Sequence, residues 1–162
     1  MRIDVVTLFP EFVLGAAQVG VVGRAQERRL LEVAAWNPRD YTNDKHRTVD
    51  DRPFGGGPGM VMLAEPLRQA VRAAQAAGTA PGRVIGLSPQ GERLTQRKVR
   101  ALAEQARLLL VCGRYEGIDE RFVTSPKRRR MNIDRSSSAR SCASTSGGSG
   151  WLRAAFAWAP IW

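Results

Sequence analysis

Short, dense runs of apolar residues form the first pattern along the chain, and they predict buried β-strands. Residues 108–112 are almost purely aliphatic, as a strand covered by helices on both faces must be. The run at residues 2–9 is rich in β-branched residues and ends before Pro10, which cannot donate to a ladder. Residues 30–35 and 83–87 are two further predicted strands, the latter closed by a turn at Ser88–Gly91.

Apolar residues spaced three or four positions apart form the second pattern, and they predict amphipathic helices. Residues 66–77 and 95–106 follow this spacing, whereas residues 11–29 contain three glycines and predict two short helical pieces. Residues 39–62 show no period. The order strand, helix, strand over 83–112 predicts a parallel βαβ unit, so the expected fold is α/β with a mostly parallel sheet and 108–112 as a central strand.

Composition and charge divide the chain of 162 residues into two parts. It is 43% apolar and 25% charged with a net charge of +10, which suits one domain with a core. Residues 1–123 hold 18 Lys and Arg against 14 Asp and Glu, whereas residues 124–162 hold 7 against 1. Ser88 is the only serine of the first part. We predict a boundary at 123/124, followed by a basic Ser/Arg/Gly-rich tail that is disordered or read in a shifted frame.

Several classes of protein are excluded by what the chain contains. It has no apolar run of 18 residues, and Asp4 interrupts the start, so we expect no membrane span, no signal peptide and a cytoplasmic location. Two cysteines and one histidine, His46, make no zinc set or disulfide framework, and no metal is expected. Cys112 follows four aliphatic residues and is predicted to be buried. No Ser/His/Asp set supports a hydrolase.

Two loops, at residues 88–91 and 113–117, follow the two predicted strands of the βαβ unit, and ligands bind at this position in such sheets. In the second, at residues 113–117, Tyr115 offers a flat apolar face and Glu116 can accept a hydrogen bond from an amine or a ribose hydroxyl. Arg114 can serve an anion or a base oxygen. The alternative is an ordinary turn with a solvated glutamate.

A third loop, at residues 55–60, holds four glycines within five residues. It lacks the Lys-Ser/Thr of a phosphate-binding P-loop and the spacing of a dinucleotide fingerprint. Its basic flank, formed by Lys45, His46, Arg47 and Arg52, suits a polyanion. The alternative is a flexible surface loop whose charges are solvated.

Six motifs within residues 1–123 together resemble the bacterial tRNA (guanine-N1)-methyltransferases of the SPOUT class. They are LFP at 8–10, PRD at 38–40, HRTVDD at 46–51, the glycine loop at 55–60, LSPQG at 87–91 and CGRYEGIDER at 112–121. The resemblance implies a trefoil-knotted α/β domain and a homodimer. It also implies transfer of a methyl group from S-adenosylmethionine to N1 of the guanine just 3′ of a tRNA anticodon.

The resemblance also assigns site residues. Those expected against S-adenosylmethionine are Leu87, Ser88, Pro89, Gln90, Gly113, Tyr115, Glu116 and Gly117. Those expected to hold the guanine or the tRNA are Asp50, Pro58, Gly59 and Met60. Glu116 and Arg114 are the candidate catalytic residues, because guanine N1 is protonated at neutral pH and needs a base, with a cation near O6.

The chain departs from the family pattern after Arg121. The family continues with an Ile-Gly-Asp-aromatic-Val-Leu-Ser-Gly-Gly loop that completes the knot, an Arg, an Asp base and a helical tRNA-binding domain. Residues 124–162 instead hold four consecutive basic residues at 127–130, a serine-rich stretch and a tryptophan-rich end. We therefore expect an incomplete knot, no distal domain and impaired methyl transfer. The alternatives are an inactive derivative and a small basic RNA-binding protein.

Overall fold

A parallel β-sheet is the frame of the structure, a computed structural model that describes residues 1–124 and 152–153. Across the sheet the strands are β2 (Glu32–Trp36), β1 (Arg2–Val6), β6 (Arg107–Cys112), β5 (Arg83–Arg93) and β7 (Leu152–Arg153). Every neighbouring pair is parallel. A separate antiparallel pair joins β3 (Asp50–Asp51) to β4 (Val61–Met62). The α/β class, the parallel sheet and the central position of β6 are confirmed.

The helices fall near the predicted positions. They are α1 (Pro10–Ala17), α2 (Gly20–Glu27), a 3-10 turn at Pro38–Tyr41, α3 (Ala64–Ala76), α4 (Gln96–Ala103) and α5 (Glu120–Thr124). The two short pieces expected within residues 11–29 are confirmed as α1 and α2. Helix α4 ends before the predicted residue 106 because the Ala106 carbonyl already accepts a hydrogen bond from the Arg2 amide at 2.9 Å, as part of the sheet.

Strand β5 differs from its prediction. The sequence predicted a strand over 83–87 and a turn at Ser88–Gly91, but the extended backbone continues to Arg93. Its pairing with β6 stops at Leu87, opposite Cys112, and further pairing is with β7 after a shift in register. A proline at position 89 therefore removes no hydrogen bond from the β5–β6 ladder, which explains why the strand tolerates it.

The core lies between the sheet and α3. This helix buries Leu67, Ala70, Val71 and Ala74, whose spacing of three or four residues places them on one face. They pack with the buried strand residues Val6, Val84, Leu109 and Val111, and with Met62 and Phe122. Cys112 was predicted to be buried but is only half-buried, and its partial burial raises the pKa of its thiol.

A buried ionic network lies at the amino ends of β1 and β6. The Asp4 carboxylate accepts hydrogen bonds from Arg107 Nε at 2.8 Å, Trp36 Nε1 at 2.9 Å and Arg2 Nη2 at 3.1 Å. Burial raises the pKa of Asp4, but the bonds from Arg2, Arg107 and Trp36 outweigh it, and the pKa lies below its usual value. A buried carboxylate with this many donors is stabilised in its charged form.

Arg107 also closes the end of α3. Its guanidinium donates to the carbonyls of Ala74, of Gln75 at 3.2 Å and of Ala80 at 3.0 Å. A Cβ at Gly78 would overlap this guanidinium, so only glycine fits there. A cation at the carboxyl end of a helix is favourable because the last carbonyls carry partial negative charge.

Helices α1 and α2, and the short connection between them, leave apolar side chains on the surface. Phe12, Val19 and Val21 are each 60% exposed or more. Within the described residues, no helix is both long and apolar enough to cross a membrane. The predicted incomplete knot and the predicted tail depend on residues after Thr124, which lie outside the described residues apart from β7.

Candidate functional site

A cleft of about 510 Å³ lies at the carboxyl end of β6, beside Leu87 and Ser88 of β5, where the pairing of the two strands stops. Its lining residues are Val61, Leu87, Ser88, Gly113, Arg114, Tyr115, Glu116, Gly117, Ile118, Glu120 and Val123. Parallel strands bring their following loops to one edge of the sheet, which is why segments far apart in sequence share this cleft. The volume lies within the range of small-molecule sites.

The segment 60–62, which follows the glycine loop, runs beside residues 116–119. The Glu116 amide donates to the Met60 carbonyl at 3.0 Å, and the Met62 amide donates to the Gly117 carbonyl at 2.9 Å. The Asp119 amide returns to the Met62 carbonyl at 3.0 Å. This short ladder fixes the loop that follows β6 to the loop predicted to hold the substrate.

Gly59 packs directly on the side chain of Glu116. A Cβ at position 59 would overlap Glu116 Cγ and lie 3.1 Å from Cδ and 3.3 Å from Oε1. Gly59 also has a φ of +92°, in the region that favours glycine. Within residues 1–124, no side chain donates a hydrogen bond to the Glu116 carboxylate. The group is therefore available to accept one from a ligand.

Arg114 and Tyr115 project from the same loop. The Arg114 guanidinium lies 5.0 Å from the centre of the Phe9 ring, within the range of a cation–π interaction. Its backbone amide contacts Met62 Sδ at 3.2 Å. Tyr115 has a φ of +62°, which is unfavourable for a residue with a side chain, and it is 41% exposed. This loop therefore holds a strained aromatic beside a cation.

Asp119 anchors the start of α5 beneath the cleft. Its carboxylate accepts from the Arg121 amide at 2.8 Å and from Arg121 Nε at 2.9 Å. The hydrogen bond from the Arg121 side chain holds the pKa of Asp119 below its usual value. Glu120, the next residue, lines the cleft and adds a second carboxylate to it.

The basic loop before β3 is held by its own polar contacts. Arg39 Nη1 donates to the Arg47 carbonyl and Arg47 Nε to the Arg39 carbonyl, both at 3.2 Å. Arg47 also pairs with Asp40. Asp44 accepts from the Thr48 hydroxyl at 2.6 Å, which keeps the pKa of Asp44 low. His46 is exposed. The loop presents cations to solvent on an ordered backbone.

The structure brings together most of the predicted site residues. The cleft collects Leu87, Ser88, Gly113, Arg114, Tyr115, Glu116 and Gly117. Pro89 and Gln90 lie farther along β5. Asp50, Pro58, Gly59 and Met60 do not line the cleft; Gly59 contacts Glu116, Met60 bonds its amide, and Asp50 pairs with Met62.

The sequence reasoning missed four lining residues: Val61, Ile118, Glu120 and Val123. Ile118 and Glu120 stand inside the 112–121 motif, so their position beside Glu116 was a usable signal. Val61 reaches the cleft through the pairing of 60–62 with 116–119, which no local pattern announces.

Comparison with known proteins decides the family. The family model described as tRNA (Guanine-1)-methyltransferase TrmD matches residues 1–134. The chain belongs to this family. The match passes the boundary predicted at 123/124 and ends within the basic, serine-rich part of the sequence.

Individual relatives agree. The chain is similar to the tRNA (guanine-N(1)-)-methyltransferase of Xanthomonas campestris pv. campestris (strain B100), with 63% identity over 123 residues, 76% of this chain and 49% of that protein. The enzyme of the same name from Halorhodospira halophila is 58% identical over 132 residues, 82% of this chain and 50% of that protein.

A solved structure also matches. The crystal structure of tRNA (m1G37) methyltransferase from Aquifex aeolicus superimposes with a TM-score of 0.68 and 35% identity, covering 75% of this chain and 55% of that one. The chain therefore spans about half the length of the curated relatives it matches.

Proposed function

We propose that the cleft where the β5–β6 pairing stops binds S-adenosylmethionine, and that the chain takes part in methylation of tRNA at N1 of the guanine 3′ of the anticodon. The observation that supports this most is that the cleft unites Leu87 and Ser88 of β5 with residues 113–117. The family membership of the chain supports the reaction class.

The residues present fit the methyl donor. Leu87, Val61 and Ile118 supply apolar surface within the cleft, and the Glu116 carboxylate is available to accept an N–H or a ribose hydroxyl. When bound, the donor supplies an electrophilic methyl group on a sulfonium. Its transfer needs alignment of donor and acceptor rather than a covalent nucleophile.

The protein residues can orient the guanine and bear its charge. Arg114, held over Phe9, can donate to the base oxygen O6, where negative charge grows as the N1 proton leaves. The Met60 carbonyl holds the backbone amide of Glu116, and the Glu116 carboxylate in the cleft can accept an N–H of the base. Gly59 and Met60 bring the glycine loop against it.

The proposed rate is low. Residues 124–162 do not carry the loop that the family pattern shows directly after residue 121, and lost positioning of the methyl donor lowers the rate of transfer. We propose methyl transfer well below the rate typical of the family.

A homodimer and a cytoplasmic location are proposed from the family, and the apolar surface of α1 and α2 is the candidate dimer contact.

The test is transfer of labelled methyl to a tRNA transcript with guanine 3′ of its anticodon, together with calorimetric titration of S-adenosylmethionine. Glu116→Gln should weaken donor binding, whereas Glu104→Gln, on the exposed end of α4, should not. Turnover at a family-like rate that Glu116→Gln abolishes would contradict the proposed low rate and assign Glu116 as a substitute base.

Two alternatives have distinct outcomes in the same assays. An inactive derivative would bind neither S-adenosylmethionine nor tRNA specifically. A basic RNA-binding protein would bind tRNA without the donor, and deletion of residues 124–162 would reduce the salt dependence of that binding, because this part carries 7 basic residues against 1 acidic residue.

A further inference from the structure

We infer that Gly59 is a positioning residue for Glu116: its missing side chain lets the glycine loop hold the Glu116 carboxylate in one orientation, where it accepts an N–H group of the bound ligand. The inference rests on the proposed function for its ligand but on geometry for the coupling. It adds a mechanical link between the loop expected to hold the guanine and the loop expected to hold the methyl donor.

Gly59 meets the Glu116 side chain near its base. The space above Gly59 is filled by Cγ, with Cδ 3.1 Å and Oε1 3.3 Å from a Cβ built there. Cγ is the first atom that rotation about the Cα–Cβ bond moves. A Cβ at position 59 therefore cannot be accommodated by a small swing of the carboxylate alone.

A side chain at position 59 would displace the Glu116 carboxylate. Side-chain torsions occupy staggered wells about 120° apart, so displacing Cγ requires a jump to another well or a shift of the backbone. The Glu116 backbone resists a shift because its amide donates to the Met60 carbonyl, one residue after Gly59. The same two segments are therefore joined by one hydrogen bond and by one side-chain contact.

The contact at Gly59 is distinct from the backbone strain that its positive φ would cause. Gly59 and Gly55 share a φ of +92°, yet a Cβ at Gly55 would meet nothing within 4 Å. Alanine is strained at both positions for the same reason. Only at position 59 does the new side chain also meet Glu116. Gly55→Ala is thus a matched control for Gly59→Ala.

The experiment compares amide hydrogen exchange, measured by NMR, in the unmutated chain, Gly59→Ala, Gly55→Ala, Glu116→Ala and the double variant Gly59→Ala/Glu116→Ala. Gly59→Ala should raise the exchange rate of the residue 116 amide about tenfold, since overpacking of a fixed contact is costly. Gly55→Ala should change it less than about twofold. In the Glu116→Ala background, where Cγ is absent, Gly59→Ala should also change it little.

Equal effects of Gly59→Ala and Gly55→Ala would overturn the inference, as would an effect of Gly59→Ala that is unchanged by removal of the Glu116 side chain. If Gly59→Ala does not fold, recovery of folding in the double variant supports the contact, and failure to recover contradicts it.

Ligand binding supplies a readout that a merely structural contact would not move. Guanosine and S-adenosylhomocysteine are titrated separately, which distinguishes the two sources of the N–H group. For the probe that Glu116 recognises, Gly59→Ala and Glu116→Ala should weaken binding by similar factors, and the double variant should be no weaker than either. Additive losses would contradict the link. If even the unmutated chain binds neither probe, the proposed function fails, and the exchange data decide the coupling.

Discussion

The two ends of the parallel sheet carry the same kinds of side chain in opposite conditions. At the amino end, the Asp4 carboxylate is fully buried and accepts bonds from Arg2, Trp36 and Arg107. At the carboxyl end, the Glu116 carboxylate is exposed and, within the described residues, receives no side-chain donor. One carboxylate is satisfied by the fold, and the other is the one that we propose accepts a hydrogen bond from a ligand.

The difference shows how this fold separates stability from binding. A buried charge must be paired within the fold, because removing one partner leaves the other desolvated and uncompensated. A carboxylate that binds a ligand, in contrast, must not be paired with a donor inside the protein. The loop that carries Glu116 also contains a strained residue, Tyr115, with a φ of +62°, and such strain is concentrated at functional sites. Variants at the two ends should therefore change different measurements.

The largest effect is expected for Arg107→Met. The variant leaves Asp4 with fewer donors and leaves the Ala74 and Ala80 carbonyls without their cation, so the free energy of unfolding should fall by about 3 to 5 kcal/mol. Urea titration measures it. Arg97→Met, at an exposed position of α4, should change stability by less than about 0.5 kcal/mol. Similar losses of stability in both variants would show that the buried network at the amino end contributes no more than an exposed arginine.

The next largest effect is expected in the way the free energy of unfolding depends on pH in acid. Because the pKa of Asp4 lies below its usual value in the folded chain, its contribution is present above the unfolded pKa of about 3.9 and is lost as the pH falls through the folded value. The free energy of unfolding should therefore drop more steeply below about pH 4 in the unmutated chain than in Asp4→Asn. Equal slopes in the unmutated chain and in Asp4→Asn would mean that the pKa of Asp4 is the same in the folded and unfolded states.

An effect of about 1 kcal/mol is expected for two residues with positive φ, one at each end. Tyr115 lies in the cleft at +62°, and Arg29 lies between α2 and β2 at +56°. Replacing either with glycine relieves a left-handed conformation that costs about 1 to 2 kcal/mol, offset in part by the greater chain entropy of glycine. Thermal unfolding should show similar small gains. Titration of S-adenosylmethionine should show weaker binding only for Tyr115→Gly. Weaker binding in both variants would contradict the view that only the carboxyl end of the sheet binds the ligand.

The parts of the fold that the sequence predicted are those fixed by local patterns. Strand β6 has no polar alternation, and α3 has one apolar stripe, so neither depends on a distant partner for its identity. The extension of β5 through Pro89 was missed because the pairing beyond Leu87 is with β7, a strand distant in sequence. In the sequence, Asp4 served only as evidence against a signal peptide. Its buried ion pair was not predictable, because its partner Arg107 is 103 residues away.

The site was predictable where one motif supplies one loop. Residues 113–117 are adjacent in sequence and line the cleft together. The contact of Gly59 with Glu116 was not predictable, because it results from the pairing of 60–62 with 116–119, a tertiary feature. Val61 enters the cleft for the same reason.

The smallest effect on stability is expected at the basic loop, where Arg47→Met removes an ion pair with Asp40 that is exposed on both sides. Such pairs contribute about 0 to 1 kcal/mol, so urea titration should show little change. If this loop contacts tRNA phosphates, the slope of log binding constant against log salt should fall by about one, because one cation fewer displaces counterions. Arg28→Met removes an equal charge directly after α2, at the amino end of the sheet, and should leave the slope unchanged. Equal slopes in all three proteins would place the tRNA contact elsewhere, whereas equal losses in both variants would show only the effect of net charge.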